Sequence, residues 1–274
     1  MVYPSIQEIE DAIRRVEAVV AGSGNKSDRD YFNFHRERYL RMAKAVVALY
    51  PKGAFILNIG SHYLHTSLIF TFLGYEVDSM DVGVFWELDF IKQRAVEHPV
   101  SKIIEDDLES LNSLEALSDN YHVVLFAEIL EHITFNPISF WQKIHRVTRS
   151  SGIIYISTPN SLNLYNVFRT VARVITFRGV GIPIGSIFSN VTYGHHWKEY
   201  SVSEIRKYFG SLSDDFQVKA SYYHYRSSQY AGFYGTLMSV FSLLGNATYI
   251  FSDEIEAIVR VDKRGDWKIQ PPDY

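Results

Sequence analysis

The sequence predicts an α/β fold, a mostly parallel sheet covered by helices on both faces. Three observations predict it. The run Ala54-Phe55-Ile56-Leu57-Asn58-Ile59 is nearly all apolar, as a strand buried on both faces should be. Gly60 follows at once, and Asp81 lies 21 residues past it, after a helical segment and a second apolar strand. Beyond Asp81 the chain keeps alternating strand and helix patterns up to Ser157.

The elements can be justified in order. Residues 5–21 read as an amphipathic helix with Ile6, Ile9, Ile13, Val16 and Val20 on one face. Ser5 and Glu8 form its capping box, and Gly22 closes it. After a polar linker, Gly22 to Asp28, a second helix is expected from Asp30 to Leu49, ending at Pro51. Its Tyr31, Phe34, His35, Arg36 and Arg38 read best as a packed aromatic seam beside a solvated basic face, with a lid over a crevice as the other option. A helix to Leu73 ends at Gly74, and Tyr75–Met80 is the second strand. Trp86 to Glu97 is helical and stops at Pro99, and Val100–Ile104 and His122–Ala127 are strands three and four. Asn136-Pro137 opens a helix to Arg149, with proline at the first helical position, and Ser151-Gly152 turns into strand five, Ile153–Ser157. A second capping box, Ser201 with Glu204, starts a helix to Phe209. Two further strands are expected at Phe216–Tyr225 and Glu254–Val261. Residues 179–194 and 230–252 carry no charged side chain. The second stretch is long enough to span a bilayer, but Gly232, Gly235, Gly245 and Asn246 interrupt it between two strands of one sheet. A pair of short helices, forming a lid or a homodimer face, is the expectation there.

Composition narrows the function. The chain has 274 residues, 47% of them apolar, which is enough for a substantial core. A net charge of −4 argues against a nucleic-acid partner. The absence of cysteine excludes a disulfide framework and a zinc ribbon, and no metal site is expected. The first residues lack the pattern of a signal peptide, so a cytoplasmic location is expected. The uncharged stretches would also suit contact with a membrane surface, a lipid-linked acceptor or a protein partner.

The residues at the strand ends point to chemistry. A glycine after the first strand lets the backbone approach a ligand, and the next helix offers free N–H groups. A carboxylate after the second strand, Asp81, can accept hydrogen bonds from two ribose hydroxyls. Asp106 and Asp107, after the third strand, can meet an adenine edge or form a solvated acidic turn. Strand four emerges with Glu128, Glu131 and His132 at the same edge.

Phe55–Gly60, Asp81, Asp106 and Glu128-Ile129-Leu130-Glu131-His132 together resemble class I S-adenosylmethionine-dependent methyltransferases, in particular the group with an E-x-L-E-H signature after strand four. Ser151–Asn160 resembles the family's fifth strand, and Gly194-His195-His196-Trp197-Lys198-Glu199-Tyr200-Ser201 its later H-x-x-x-Y-[ST] segment. The resemblance implies a Rossmann-like methyltransferase fold with a seven-stranded sheet whose last strand is antiparallel. Residues 1–52 would form an N-terminal helical cap, and 53–274 the methyltransferase domain with an apolar insertion near 229–252. It implies S-adenosylmethionine as cofactor, with Asn58, Gly60 and Ser61 in the first loop and Gly60 beneath the methionine part. Asp81 would hold the ribose, Asp106 the adenine N6 with the backbone of Asp107 nearby, and Glu128 would border the methionine end. Relatives of this pattern make sugar hydroxyls the leading acceptor, either on a small molecule or on a glycan or lipid carrier.

The chain departs from the family pattern at three positions: Asn58 replaces an acid, and His62 and Leu64 replace glycines. These departures motivate the alternative of a non-catalytic binding or scaffold protein with this fold. A nicotinamide-dependent oxidoreductase is disfavoured by Glu128–His132 and the C-terminal strand pair. Transfer to a hydroxyl needs a group that removes its proton, and neutral histidine suits that task. His132, His195 and His196 are the candidates, His132 being read more readily as a structural hydrogen-bonding residue at the strand-to-helix junction.

Overall fold

The computed structural model describes the chain apart from residues 99, 183, 190–193, 224–231 and 273–274. Pro99, the end of the expected sixth strand beyond Tyr223 and the start of the apolar insertion therefore lie outside the described residues.

Helix α1 (Ile6–Gly22) begins with the expected capping box: the Glu8 N–H donates to Ser5 Oγ at 3.2 Å and the Ser5 N–H to the Glu8 carboxylate at 2.7 Å. Gly22 remains inside the helix, and Gly24, at φ +66°, turns the chain instead. Helix α2 (Lys26–Val47) starts earlier than Asp30 because Asn25 caps it, accepting the Asp28 N–H at 3.1 Å. Then come β1 (Phe55–Ile59), α3 (His65–Phe72) and β2 (Glu76–Asp81). The single helix expected from Trp86 is two, α4 (Gly83–Trp86) and α5 (Asp89–Glu97), because Leu88 between them is extended at ψ 129°. After β3 (Ser101–Ile104) and β4 (Tyr121–Ala127), helix α6 (Ile138–Val147) has Pro137 at its cap rather than at its first helical position. The chain continues through β5 (Thr148–Pro159), α7 (Leu164–Ile175), α8 (Ile184–Ser189), α9 (Val202–Leu212), β6 (Phe216–Tyr223), α10 (Gly232–Ala247) and β7 (Glu254–Val261). The second capping box opens α9, and α10 is one helix rather than a pair.

The described strands form one seven-stranded sheet in the order β3-β2-β1-β4-β5-β7-β6. Strands β1 to β5 pair in parallel, and β7 runs antiparallel to both β5 and β6. Side chains alternate between two cores, as strand geometry requires. Ile56, Val123, Leu125 and Tyr155 pack with α1, α2 and α3. Leu57, Val124, Phe126 and Ile154 pack on the opposite face with Trp141 of α6 and Phe209 of α9. The strand order reverses between β1 and β4, which opens a crevice at their carboxyl ends. Among the described residues, no helix is long and apolar enough to cross a membrane.

Candidate functional site at the carboxyl edge of the sheet

The loop after β1 has the shape its glycine predicts, although most of its glycines are absent. Gly60 has φ +69°, a conformation that favours glycine, and a Cβ there would lie 2.7 Å from Ile129 Cδ1, so that side chain would have to turn aside. His62 and Leu64, which stand where the family pattern has glycines, adopt left-handed backbone at φ 45° and 64°. Each such residue is disfavoured by about 1–2 kcal/mol relative to glycine. Asp81 holds this loop: its Oδ2 accepts the His62 N–H at 2.5 Å, and its Oδ1 accepts the Val82 N–H at 2.8 Å. Asp81 is 9% exposed, and burial pushes its carboxyl up to about 6 against the pull of those two donors.

The His62 ring fills the space above the turn, with ring centres 3.7 Å from Tyr63, 4.4 Å from Tyr31 and 4.5 Å from Phe85. Burial holds this imidazole down at about 3, so it is neutral. What remains is a cavity of about 30 Å³ bordered by Tyr31, Arg38, Asn58, Gly60, Ser61 and His62, room for little more than a water. Ser61 Oγ and His62 Nδ1 are buried with no hydrogen-bond partner among the described residues. Unpaired polar atoms beside a desolvated carboxylate fit a ligand that carries hydroxyl and amine groups. With the Tyr31 and His62 rings in these positions the cavity is too small for a nucleoside.

Not every expected cofactor contact points into this crevice. Asn58 donates from Nδ2 to Ser67 Oγ at 2.9 Å, and Ser67 Oγ also accepts the Ser79 hydroxyl at 2.7 Å, so its amide braces α3 against the sheet. Asp106 is exposed and accepts the Gly83 N–H at 2.6 Å, fixing the start of α4 beside β3. The Asp107 carboxylate shapes its own turn by accepting the N–H groups of Glu109 and Ser110 and the Ser110 hydroxyl.

Helix α2 closes the crevice. Its inward face carries Asp28, Phe32, His35, Arg38, Tyr39 and Met42, all buried, and only Arg36 of the expected basic face is exposed. Arg38 is 4% exposed and pairs with Glu128 at 3.1 Å, which corrects the solvated reading of this arginine. Glu128, at φ 56°, also accepts the Ser157 hydroxyl at 2.9 Å. At the start of α2, Asp28 accepts from Arg94 Nη2 at 2.6 Å and from His65 Nε2 at 2.7 Å, while Tyr39 donates to His65 Nδ1 at 3.1 Å. These partners hold the Asp28 carboxyl at about 2 although burial opposes them.

Histidines and carboxylates gather on the far side of Glu128. His132 donates from Nδ1 to the His195 carbonyl at 2.9 Å, which leaves its Nε2 as the basic nitrogen, 3.8 Å from Glu131 Oε1. Burial, then the neighbouring His196, keep His132 below the ordinary histidine range. Glu131 is wholly buried: Thr158 donates to its Oε2 at 2.9 Å, and its backbone carbonyl accepts the Trp197 N–H at 2.7 Å. His196 engages the Glu199 carboxylate through Nδ1 at 3.0 Å, which raises its pKa, and its ring centre lies 4.9 Å from that of His132. The structure thus brings His132 and His196 together, while the buried His195 ring packs beside Trp197 and its carbonyl serves His132. Glu254, at the start of β7, is buried and pushed up to about 8 by desolvation. Sequence reasoning assigned no role to Glu131, Glu199 or Glu254. Glu131 stood inside the strand-four signature, whereas the other two had no local signal.

A wider cleft of about 400 Å³ opens beside His196, between Arg169 and Arg173 of α7 and the segment His195–Glu199. Helix α7 buries no residue fully; Phe168 is 53% exposed, and the following Phe177 is 98% exposed.

No family model matches this chain, and no curated protein matches it. Solved structures do. A S-adenosylmethionine-dependent methyltransferase from Archaeoglobus fulgidus is 14% identical with a TM-score of 0.50, over 87% of this chain and all of that one. Phosphoethanolamine N-methyltransferase 2 of Haemonchus contortus, solved with S-adenosyl-L-methionine, is 11% identical with a TM-score of 0.54, over 83% of this chain and 53% of that one. A chain of the complex between the Haloferax volcanii Trm112 methyltransferase activator and a methyltransferase is 13% identical with a TM-score of 0.53, over 90% of this chain and 99% of that one. Strand order, the antiparallel β7 and these likenesses agree: the chain has the class I S-adenosylmethionine-dependent methyltransferase fold.

Proposed function

We propose that this chain is a S-adenosylmethionine-dependent methyltransferase. The observation that carries the reading is the buried, desolvated Asp81 beside the unpaired Ser61 hydroxyl at the switch point of the sheet. In this reading Asp81 holds the ribose and Gly60 and Ser61 pass beneath the cofactor, while Asp106 meets the adenine only by turning from the Gly83 N–H that it now accepts. Arg38 and Glu128 take the charged methionine end, and residues 1–52 cap the crevice through α2. The bound cofactor supplies an electrophilic methyl group on a sulfonium. The chain's own task is to align the acceptor and remove its proton, and His132 is oriented for that by the His195 carbonyl.

The acceptor belongs in the cleft beside α7. Arg169 and Arg173 suit an anionic group such as a phosphate. From Ser161 to Trp197 the chain has three arginines and no acidic residue. The same stretch exposes Phe168, Val171, Val174, Ile175, Phe177 and Phe188. Basic residues among exposed apolar ones fit an anionic membrane surface, so a lipid-linked sugar phosphate is the favoured acceptor, methylated on oxygen. The test is transfer of a labelled methyl group to polyprenyl-phosphate glycans and to free sugars. Preference for the lipid-linked acceptor, reduced by Arg169→Ala with Arg173→Ala, is expected; equal transfer to free sugars contradicts the acceptor assignment.

The water-sized cavity and the His62 ring favour a second reading, a methyltransferase-like protein that binds no cofactor. Direct binding measurements separate the two.

A further inference from the structure

One ligand atom from each of Glu131, His132 and His196 lies within 4.8 Å of the other two. Glu131 is 0% exposed, and its Oε1 has no hydrogen-bond partner among the described residues. A buried, unpaired carboxylate oxygen is unfavourable, so its presence needs an explanation. Both histidines are held through Nδ1, His132 by the His195 carbonyl at 2.9 Å and His196 by the Glu199 carboxylate at 3.0 Å. Metal-ligating histidines are oriented in this way, with one nitrogen fixed by a carbonyl or carboxylate and the other left for the ion.

We propose that Glu131, His132 and His196 bind a divalent transition cation. Two imidazoles and one carboxylate suit Zn²⁺, Fe²⁺, Co²⁺ or Ni²⁺ rather than Mg²⁺ or Ca²⁺. A tetrahedral ion with bonds of about 2.0–2.1 Å needs ligand atoms about 3.4 Å apart. Glu131 Oε1 and His132 Nε2 stand at 3.8 Å already, so the side chains close by a fraction of an ångström between that pair. The His132 and His196 side chains are 23% and 43% exposed, and His196 lines the cleft that holds Arg169 and Arg173. Three protein ligands with an open side is the pattern of a working metal rather than a structural one. At that open side the ion would bind an acceptor hydroxyl or phosphate oxygen and make the hydroxyl easier to deprotonate. This role at the acceptor rests on the methyl-transfer reading and takes the place of His132 as base, because a metal-bound Nε2 cannot also accept a proton; the binding site itself rests on neither.

The test uses the full chain stripped of metal, with neither cofactor nor acceptor, so its failure leaves the methyl-donor reading standing. Zn²⁺ is titrated against a chromophoric chelator, and Co²⁺ is followed by its visible absorption. One ion per chain is expected. His196→Ala and His132→Ala should each weaken Zn²⁺ by more than about a hundredfold, and Glu199→Ala by about 10–100-fold, since it only orients His196. His98→Ala, remote from the cluster, should bind as the parent does. Glu131→Gln risks the fold because Glu131 is buried; His196 lies on an exposed segment, and circular dichroism checks that its variant is folded. No stoichiometric binding, or parental affinity in folded His196→Ala and His132→Ala, overturns the proposal.

Discussion

His62 is where the cofactor reading is most exposed to test. Its ring fills the crevice while its backbone keeps the left-handed conformation of the glycine it replaces. His62→Gly should relieve about 1 kcal/mol of backbone strain and clear the crevice. We expect affinity for S-adenosylmethionine to rise by about tenfold, equivalent to about 1.4 kcal/mol; unchanged or weaker binding would mean the ring is part of the bound state. Asp81 makes the binding depend on pH. In the proposed reading ribose hydroxyls would donate to the ionised carboxylate, whose pKa is raised to about 6 before binding. Affinity should therefore fall about tenfold per pH unit below 6 and level off above 7. Stability runs the other way: with the folded value raised from 3.8, the contribution is complete below about pH 4 and lost as pH rises through 6. Calorimetry from pH 5 to 8 reads the first effect, and a flat profile would remove Asp81 from the ribose. The place of Gly60 and Asp81 was legible because backbone freedom and charge are local properties. The engagement of Asn58 with Ser67 and the turn built by Asp107 were not, because they depend on which neighbours the fold brings close.

At the scale of elements, α2 is the part the sequence described least well. Its register of aromatic and basic residues is compatible with a solvated face, and only the closure of α2 over β1 and β4 turns Arg38 inward to Glu128. The buried pairing of Asp28 with Arg94 and His65 fixes that closure across 66 and 37 residues of chain, a separation no local pattern reports. Asp28→Ala strands the buried Arg94 and should destabilise the chain by about 3–5 kcal/mol, read as a lower urea midpoint. A loss below about 1 kcal/mol would mean that α2 is held by its apolar face alone. By contrast, both capping boxes and all the strands of the first sheet half were readable, because caps and buried strands carry their reasons in four to six adjacent residues.

At the scale of the whole molecule, the two faces of the sheet are packed, and the unusual surface lies over α7, α8 and α10. Phe177 is 98% exposed and Phe188 84%, in a stretch whose only charges are arginines. The chain should float with vesicles containing anionic lipid and stay behind with neutral ones, binding less as salt rises. Phe177→Asp with Phe188→Asp should abolish flotation without changing cofactor affinity. Absence of flotation, with dimerisation in sedimentation instead, would assign this face to a second copy. The overall topology was legible because alternating strands and helices leave few arrangements, whereas the cleft beside His196 depends on α7 and the 194–199 segment meeting across the sheet edge. The central claim is tested most directly by calorimetry of the purified chain with S-adenosylmethionine, S-adenosylhomocysteine and NAD. Saturable one-to-one binding of the two methionine-derived ligands and none of NAD, with Asp81→Ala weakening both by about tenfold or more, is the expected result; no binding of either methionine-derived ligand would contradict it.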